Sequence, residues 1–134
     1  MDEQENDVAD SSQPDNNNDR GSPDPDQSAD KPDTVLDERT AHFIGLLSDD
    51  DEVSRWKAAE ALGRIRDPGA VEELIGTLWD DDARVRLKAA WALGQIGDQR
   101  AYAPLQRLYR MENEWAQEII REALEKIRRE MSRQ

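Results

Sequence analysis

The feature that most constrains the fold of this chain is an internal repeat with a period of 31 residues. The nine residues from Lys57 to Ile65 return, with two changes, from Lys88 to Ile96. Between residues 56–78 and 87–109, 10 of 23 positions are identical. A unit of about 30 residues cannot bury its own apolar face, so its copies must stack on one another. The repeat therefore predicts an elongated solenoid, a form whose usual role is to display a surface.

Each copy of the repeat predicts a pair of helices, which we name the first-type and the second-type helix. Each first-type helix follows three consecutive aspartates, whose carboxylates can accept hydrogen bonds from the free amides of a first helical turn. Pro68 cannot extend a helix and is expected to end the first copy of that helix nearby. The second-type helix follows at once, with its apolar residues on one face. The predicted ranges are 53–65 and 70–78 for the first pair, and 84–96 and 101–110 for the second.

The 31-residue register extends beyond the two full copies. Residues 43–51 align with 74–82, which predicts an additional second-type helix before the first full unit. Three apolar positions of the repeat recur near the end of the chain, so a last first-type helix is expected over about 114–130. Its other positions are heavily charged, as a terminal cap with one face in water requires. We predict an all-α fold, a short α-solenoid of antiparallel helix pairs counted as five helices, over residues 35–134.

Two glycines and two arginines carry specific structural expectations. Gly63 and Gly94 lie inside predicted helices, where glycine costs about 1 kcal/mol relative to alanine, so a close helix contact is expected to offset the loss. Arg55 and Arg86 lie four residues after the last aspartate of each triplet, which predicts i, i+4 ion pairs within the helix. The aspartate triplets lack the alternating spacing of a calcium loop, and we interpret them as helix caps rather than cation ligands.

Residues 1–34 differ sharply in composition from the rest of the chain. They hold 11 acidic side chains against Arg20 and Lys31, a net charge of −9, and almost no apolar residues. Burial there cannot offset the roughly 1 to 2 kcal/mol per residue that ordering a chain costs. This segment is predicted to be a disordered acidic tail.

Charge and composition also limit the function. Residues 35–134 hold 20 acidic and 16 basic side chains, with no basic stripe, which argues against binding to nucleic acid or to an anionic membrane. The chain has no cysteine, so thiolate chemistry is excluded. No signal peptide or apolar run long enough to span a bilayer is apparent, and we expect a cytoplasmic location.

The run from Val85 to Asp98, followed by Ala101 and Leu105, resembles the short HEAT-like repeat named after phycobilisome (bilin) lyases. The resemblance covers about residues 40–130. It implies an α-solenoid whose first helices form the outer layer and whose second helices line the inner surface. The same repeat serves many unrelated scaffolds, so the resemblance does not imply bilin chemistry.

A related class of HEAT-repeat enzymes, deoxyhypusine hydroxylase, holds two irons through several His-Glu pairs. This chain has a single histidine, His42, which is followed by Phe43, so it contains no such pair. No nucleophile beside a base and no phosphate-binding loop is found either. We therefore expect no catalytic residue, cofactor or metal.

Large aromatic side chains are the remaining candidates for binding. None of the four tryptophans falls where the repeat requires a core residue. Exposed aromatics on a solenoid are favoured binding anchors. We expect Trp56 and Trp91 to pack between helices and Trp79 to be exposed as the best anchor, and we leave Trp115 as a further candidate.

The second-type helices are expected to expose a row of polar side chains along the inner surface. The proposed partner-binding residues are Trp79, Glu72, Glu73, Gly76, Arg107, Arg110 and His42, and the same spacing also exposes Gly45, Ala103 and Pro104. The predicted function is a non-enzymatic scaffold or adaptor that binds another protein through this surface. An alternative is an accessory or chaperone-like subunit of a lyase or other modifying enzyme.

Overall fold

The computed structural model describes residues 37–133, and this part of the chain folds as six α-helices. Two short 3-10 turns, Pro68–Ala70 and Gln99–Ala101, each lead into a second-type helix. The described range contains no β-strand. The helices in chain order are α1 Glu38–Leu46, α2 Glu52–Ile65, α3 Val71–Thr77, α4 Ala83–Ile96, α5 Tyr102–Met111 and α6 Glu114–Ser132.

The prediction of an all-α solenoid of antiparallel helix pairs is confirmed, but the count of five helices is wrong. The two full units contribute α2 to α5, and the half-units before and after them contribute α1 and α6. All six correspond to segments predicted as helices, including the one before the first full unit, which is α1 with its own cap at Asp37, so only the stated total was wrong. The predicted tail at residues 1–34 lies outside the described residues.

Each first-type helix begins at a side-chain cap. The Asp51 carboxylate accepts a hydrogen bond from the amide of Ser54 at 3.1 Å, and the Asp82 carboxylate accepts one from the amide of Arg84 at 2.8 Å. Asn113 caps α6 in the same way. These contacts satisfy amides that have no partner inside the helix, so the last residue of each aspartate triplet is a cap as expected.

Left-handed residues end the two first-type helices α2 and α4. Arg66, the residue after α2, has φ 61°, and Gly97, at the equivalent position after α4, has φ 78°. Their amides donate to Leu62 and Leu93 respectively. Glycine adopts this conformation without a steric penalty, whereas arginine does not.

The helices form two layers of first-type and second-type helices with one shared core. Helix α4 packs against α2 on one side and α6 on the other. Each second-type helix packs against the first-type helix that follows it in the chain. Contacts between successive second-type helices are much less extensive. The fully buried large side chains include Leu62, Leu74, Leu78, Leu93, Leu105, Leu108, Ile120 and Ile127.

The close approach of the first-type helices depends on glycine. A Cβ atom built on Gly63 would lie 2.4 Å from Cζ3 of Trp91 and 2.9 Å from Cα of Ala92. A Cβ built on Gly94 would lie 2.8 Å from both Cα and Cβ of Ala123. The expected close helix contact is confirmed at both positions. No helix among the described residues is both long and apolar enough to cross a membrane.

Candidate binding surfaces

All seven residues proposed for partner binding lie at the surface. Trp79 is 44% exposed at the end of α3, which confirms its expected exposure. The expectation that Pro104 is exposed is wrong, because this residue is buried in the first turn of α5 beside the core. The six proposed partner-binding residues besides Trp79 are also exposed. They are His42 on α1, Glu72, Glu73 and Gly76 on α3, and Arg107 and Arg110 on α5.

The structure brings two of these residues together in a groove between α1 and α3. This groove has a volume of about 330 Å³. Glu73 and Gly76 line one wall, and Ile44 and Leu47 line the other. Glu72 lies outside it and forms a 3.2 Å ion pair with Arg100. The groove therefore combines an apolar wall with one exposed carboxylate.

Arg110 belongs to a different surface, between α5 and α6. Here Arg128 donates a 2.8 Å hydrogen bond to the hydroxyl of Tyr102, and Arg121 donates one of 3.0 Å to the hydroxyl of Tyr109. Arg110 lines the same groove, of about 380 Å³. The basic C-terminal end of the predicted row is thus separate from the acidic groove at α3.

The first-type helices carry a third surface, which the sequence analysis missed. Trp91 is half-buried on α4 and Trp115 is 68% exposed on α6, and both line a groove with Leu87 and Ile119. Its volume is about 300 Å³. One signal pointed to it, because three of the four tryptophans fall on first-type helices, namely Trp56, Trp91 and Trp115.

A lysine of this surface lies between Trp91 and Trp56 of the neighbouring helix α2. The Nζ atom of Lys88 lies 5.5 Å from the ring centroid of Trp56 and 5.6 Å from that of Trp91, within the range of cation–π attraction. Lys88 is also 3.6 Å from Glu60. As expected, Trp56 and Trp91 are partly covered by neighbouring side chains rather than fully exposed.

The predicted ion pairs within the first-type helices are wrong, because both arginines reach the next unit instead. The guanidinium of Arg55 donates to the two carboxylate oxygens of Asp80 at 2.9 and 3.1 Å. Arg86 makes the equivalent contact to Glu112 at 2.7 Å. The carboxylate of Asp51 already caps its own helix, whereas the Asp80 side chain is only 12% exposed and offers a two-point contact.

The Arg55 contact affects the ionisation of Asp80. Burial acts to raise the pKa of the Asp80 carboxyl, but hydrogen bonds from the Arg55 guanidinium and the Asp82 amide outweigh it and lower the pKa below its ordinary value. The pKa of Asp98 is also lowered, chiefly by hydrogen bonding to the Arg100 guanidinium. Both carboxylates stabilise contacts between turns and helices.

Among residues 37–133, no group of three or more His, Cys, Asp or Glu side chains is placed to hold a metal ion. The family model described as HEAT repeats matches residues 40–125, which is more than half of the chain. No curated protein matches the chain.

Proposed function

Because the chain belongs to the family of HEAT repeats, we propose that it is a non-enzymatic scaffold or adaptor that binds a partner protein through its second-type helices. Interaction scaffolds are a common use of this family. Stacked repeats hold their surface side chains on a rigid frame, so a partner meets them with little loss of conformational freedom.

The observation that carries this proposal is the exposed indole of Trp79. Trp79 is 44% exposed, so a large part of its indole is available to a partner. Tryptophan is enriched among the residues that dominate binding energies. The groove lined by Glu73 and Gly76 is on α3, and Trp79 lies two residues after the end of this helix.

The finer family assignment is also part of the proposal. We assign the repeats to the phycobilisome-lyase type of HEAT repeat, since the 31-residue period and the run from Val85 to Asp98 resemble it. The name of that type says nothing about a bilin here. The cytoplasmic location stays a prediction.

A purification experiment tests the function. The intact chain and a triple variant, Trp79→Ala with Glu73→Ala and Arg107→Ala, are used to purify partners from the native cells, and the partners are identified by mass spectrometry. We expect one reproducible partner whose recovery falls at least about tenfold with the variant, since each anchor contributes 1 kcal/mol or more. The far-ultraviolet circular dichroism of the two proteins is expected to be the same.

A matched control keeps the result specific. Lys57→Ala removes an exposed charge on the first-type helix α2, away from the second-type surface, and should leave recovery unchanged. If the triple variant recovers the partner as well as the intact chain does, the second-type surface is not the binding site. Turnover of a substrate by the purified chain would refute the non-enzymatic part of the proposal.

A further inference from the structure

We propose that the groove between α4 and α6 on the first-type face is a second docking site, and that its occupant is an amphipathic helix of a partner protein with carboxylates along one edge. We call it the tryptophan groove, defined by Leu87, Trp91, Trp115 and Ile119 with Arg84, Lys88 and Glu122 at its rim. The inference rests on the proposed scaffold function but uses the opposite layer of helices.

The floor of the tryptophan groove is apolar and is held in place by the core. Leu87 is 7% exposed, so it is fixed by its neighbours, whereas Trp115 is 68% exposed and offers a large free apolar surface. Trp91 stands against Gly63 of α2, which supports the ring from behind. A rigid floor with one large exposed aromatic side chain is what a binding anchor requires.

The shape of the groove matches a helix. Its lining runs along α4 from Ala83 to Trp91 and along α6 from Trp115 to Glu122. At 1.5 Å per residue these stretches are about 12 and 10 Å long, or two helical turns. Residues at i, i+4 and i+7 of a docked helix cover the same length. A groove between two helices accepts the side-chain ridge of a third.

The first-type layer is also the layer in which the helices approach most closely. The glycine contacts of Gly63 and Gly94 bring α4 close to both neighbours, while successive second-type helices make few contacts. The tryptophan groove lies in this closely packed layer, between the first-type helices of two successive units, so a docked helix contacts more than one unit.

The charges at the rim favour carboxylates on the docked helix. Arg84 and Lys88 lie one turn apart on the α4 wall, with side chains 60% and 37% exposed. Each cation already forms a long ion pair within the chain, Arg84 with Asp82 at 3.5 Å and Lys88 with Glu60 at 3.6 Å, and their exposed sides remain open to a further carboxylate. Two carboxylates one turn apart on a docked helix match these two cations. The opposite wall carries the single carboxylate of Glu122.

The probe for this site is a synthetic helix of 15 residues labelled with fluorescein. It has leucine at positions 4, 8 and 11, glutamate at two positions one turn apart on one edge, and alanine or glutamine elsewhere. The control peptide has lysine in place of both glutamates. Binding of each peptide to the full chain is measured by fluorescence anisotropy at 50 and 150 mM salt.

We expect the acidic peptide to bind about fivefold more tightly than the basic one at low salt, because two exposed ion pairs contribute a few tenths of a kcal/mol or more each. The double variant Arg84→Glu with Lys88→Glu should reverse this preference. Trp115→Ala should weaken the binding of the acidic peptide by at least about tenfold. Trp79→Ala, on the other layer, should change it by less than about twofold, since the two sites are independent.

The proposal is overturned if Trp115→Ala binds the acidic peptide as the intact chain does, or if the charge-reversed variant keeps the original preference. Absence of binding up to millimolar peptide also overturns it. If the native partner is still recovered through Trp79 in that case, the proposed scaffold function stands and only the tryptophan groove is lost. The circular dichroism spectrum of each variant checks that it folds, which is expected because the four substituted side chains, Arg84, Lys88, Trp115 and Trp79, are exposed or partly exposed.

Discussion

Replacing Gly94 by alanine tests the close approach of α4 and α6. The added Cβ would lie 2.8 Å from both Cα and Cβ of Ala123, so the helices must separate by several tenths of an ångström to reach ordinary contact. Overpacking of this kind costs about 1–3 kcal/mol. The upper part of that range applies here, because the atoms met include backbone that cannot rotate away. Alanine returns about 1 kcal/mol through its higher helix propensity. We expect a net loss of about 1–2 kcal/mol.

The chain supplies matched controls for this substitution. Gly45 on α1 and Gly76 on α3 are helical and exposed, and a Cβ built on either meets nothing within 4 Å. The same change to alanine should there raise the free energy of unfolding by about 0.5–1 kcal/mol. Gly63→Ala should behave like Gly94→Ala, since its added Cβ would lie 2.9 Å from the backbone of Ala92. Replacing glycine by alanine is therefore expected to lower the free energy of unfolding at the two packed glycines and to raise it at the two open ones.

The free energies are measured by urea unfolding followed by circular dichroism at 222 nm. A slope of 1–2 kcal/mol per molar urea places the midpoints of the two groups of variants roughly 1–2 M apart. The intact chain is expected between them. If Gly94→Ala is as stable as the intact chain or more stable, the first-type helices do not approach as closely as described. If Gly45→Ala and Gly76→Ala are both destabilising, the open surroundings assigned to these glycines are wrong.

Three further predictions concern turns, core and pH. Arg66→Gly should raise the free energy of unfolding by up to about 1 kcal/mol in thermal or urea unfolding, because the left-handed φ of 61° is strained for arginine and Gly97 adopts it freely. Leu93→Ala should lower it by about 2–5 kcal/mol, since this side chain is 0% exposed, and a loss below 0.5 kcal/mol would contradict its place in the core. Because the pKa of Asp80 is lowered in the folded state by Arg55, its contribution is complete at neutral pH and is lost as the pH falls below about 4. The urea midpoint should therefore decrease less between pH 6 and pH 3 for Asp80→Asn than for the intact chain.

The sequence predicted the fold because the features that determine it are local or periodic. Asp51 and Asp82 precede runs of helix-forming residues, and a cap needs only the residues next to it in sequence. Gly63 and Gly94 are unfavourable in helices unless a neighbour approaches closely, so their position alone indicated the packing. The total of five helices was wrong only as a sum, because the predicted segments already numbered six.

The contacts between units could not be obtained in the same way. The partner of Arg55 depends on where the next unit's turn comes to lie, and the distance from Arg55 to Asp80 is 25 positions along the chain. The i, i+4 rule considers only one helix and therefore selected Asp51. Pro104 was misplaced because it aligns with Glu73, which is exposed at the equivalent position of α3, whereas the apolar ring is buried in the first turn of α5.

One position of the repeat shows how structural and functional roles are divided on the first-type face. It is occupied by Glu60 on α2, Trp91 on α4 and Glu122 on α6, each 31 residues apart. The preceding positions on α2 and α4, Ala59 and Ala90, are identical and fully buried, whereas the equivalent Arg121 on α6 is exposed. At this position the side chain reaches the surface, so packing accepts a carboxylate or an indole equally well. The chain places its only aromatic side chain of this row on α4, where the neighbouring helix adds Trp115, and the two indoles together make the apolar floor of the tryptophan groove. A single tryptophan on a charged face is an isolated surface residue, whereas two that converge from successive units form a site that exists only when the repeats are stacked.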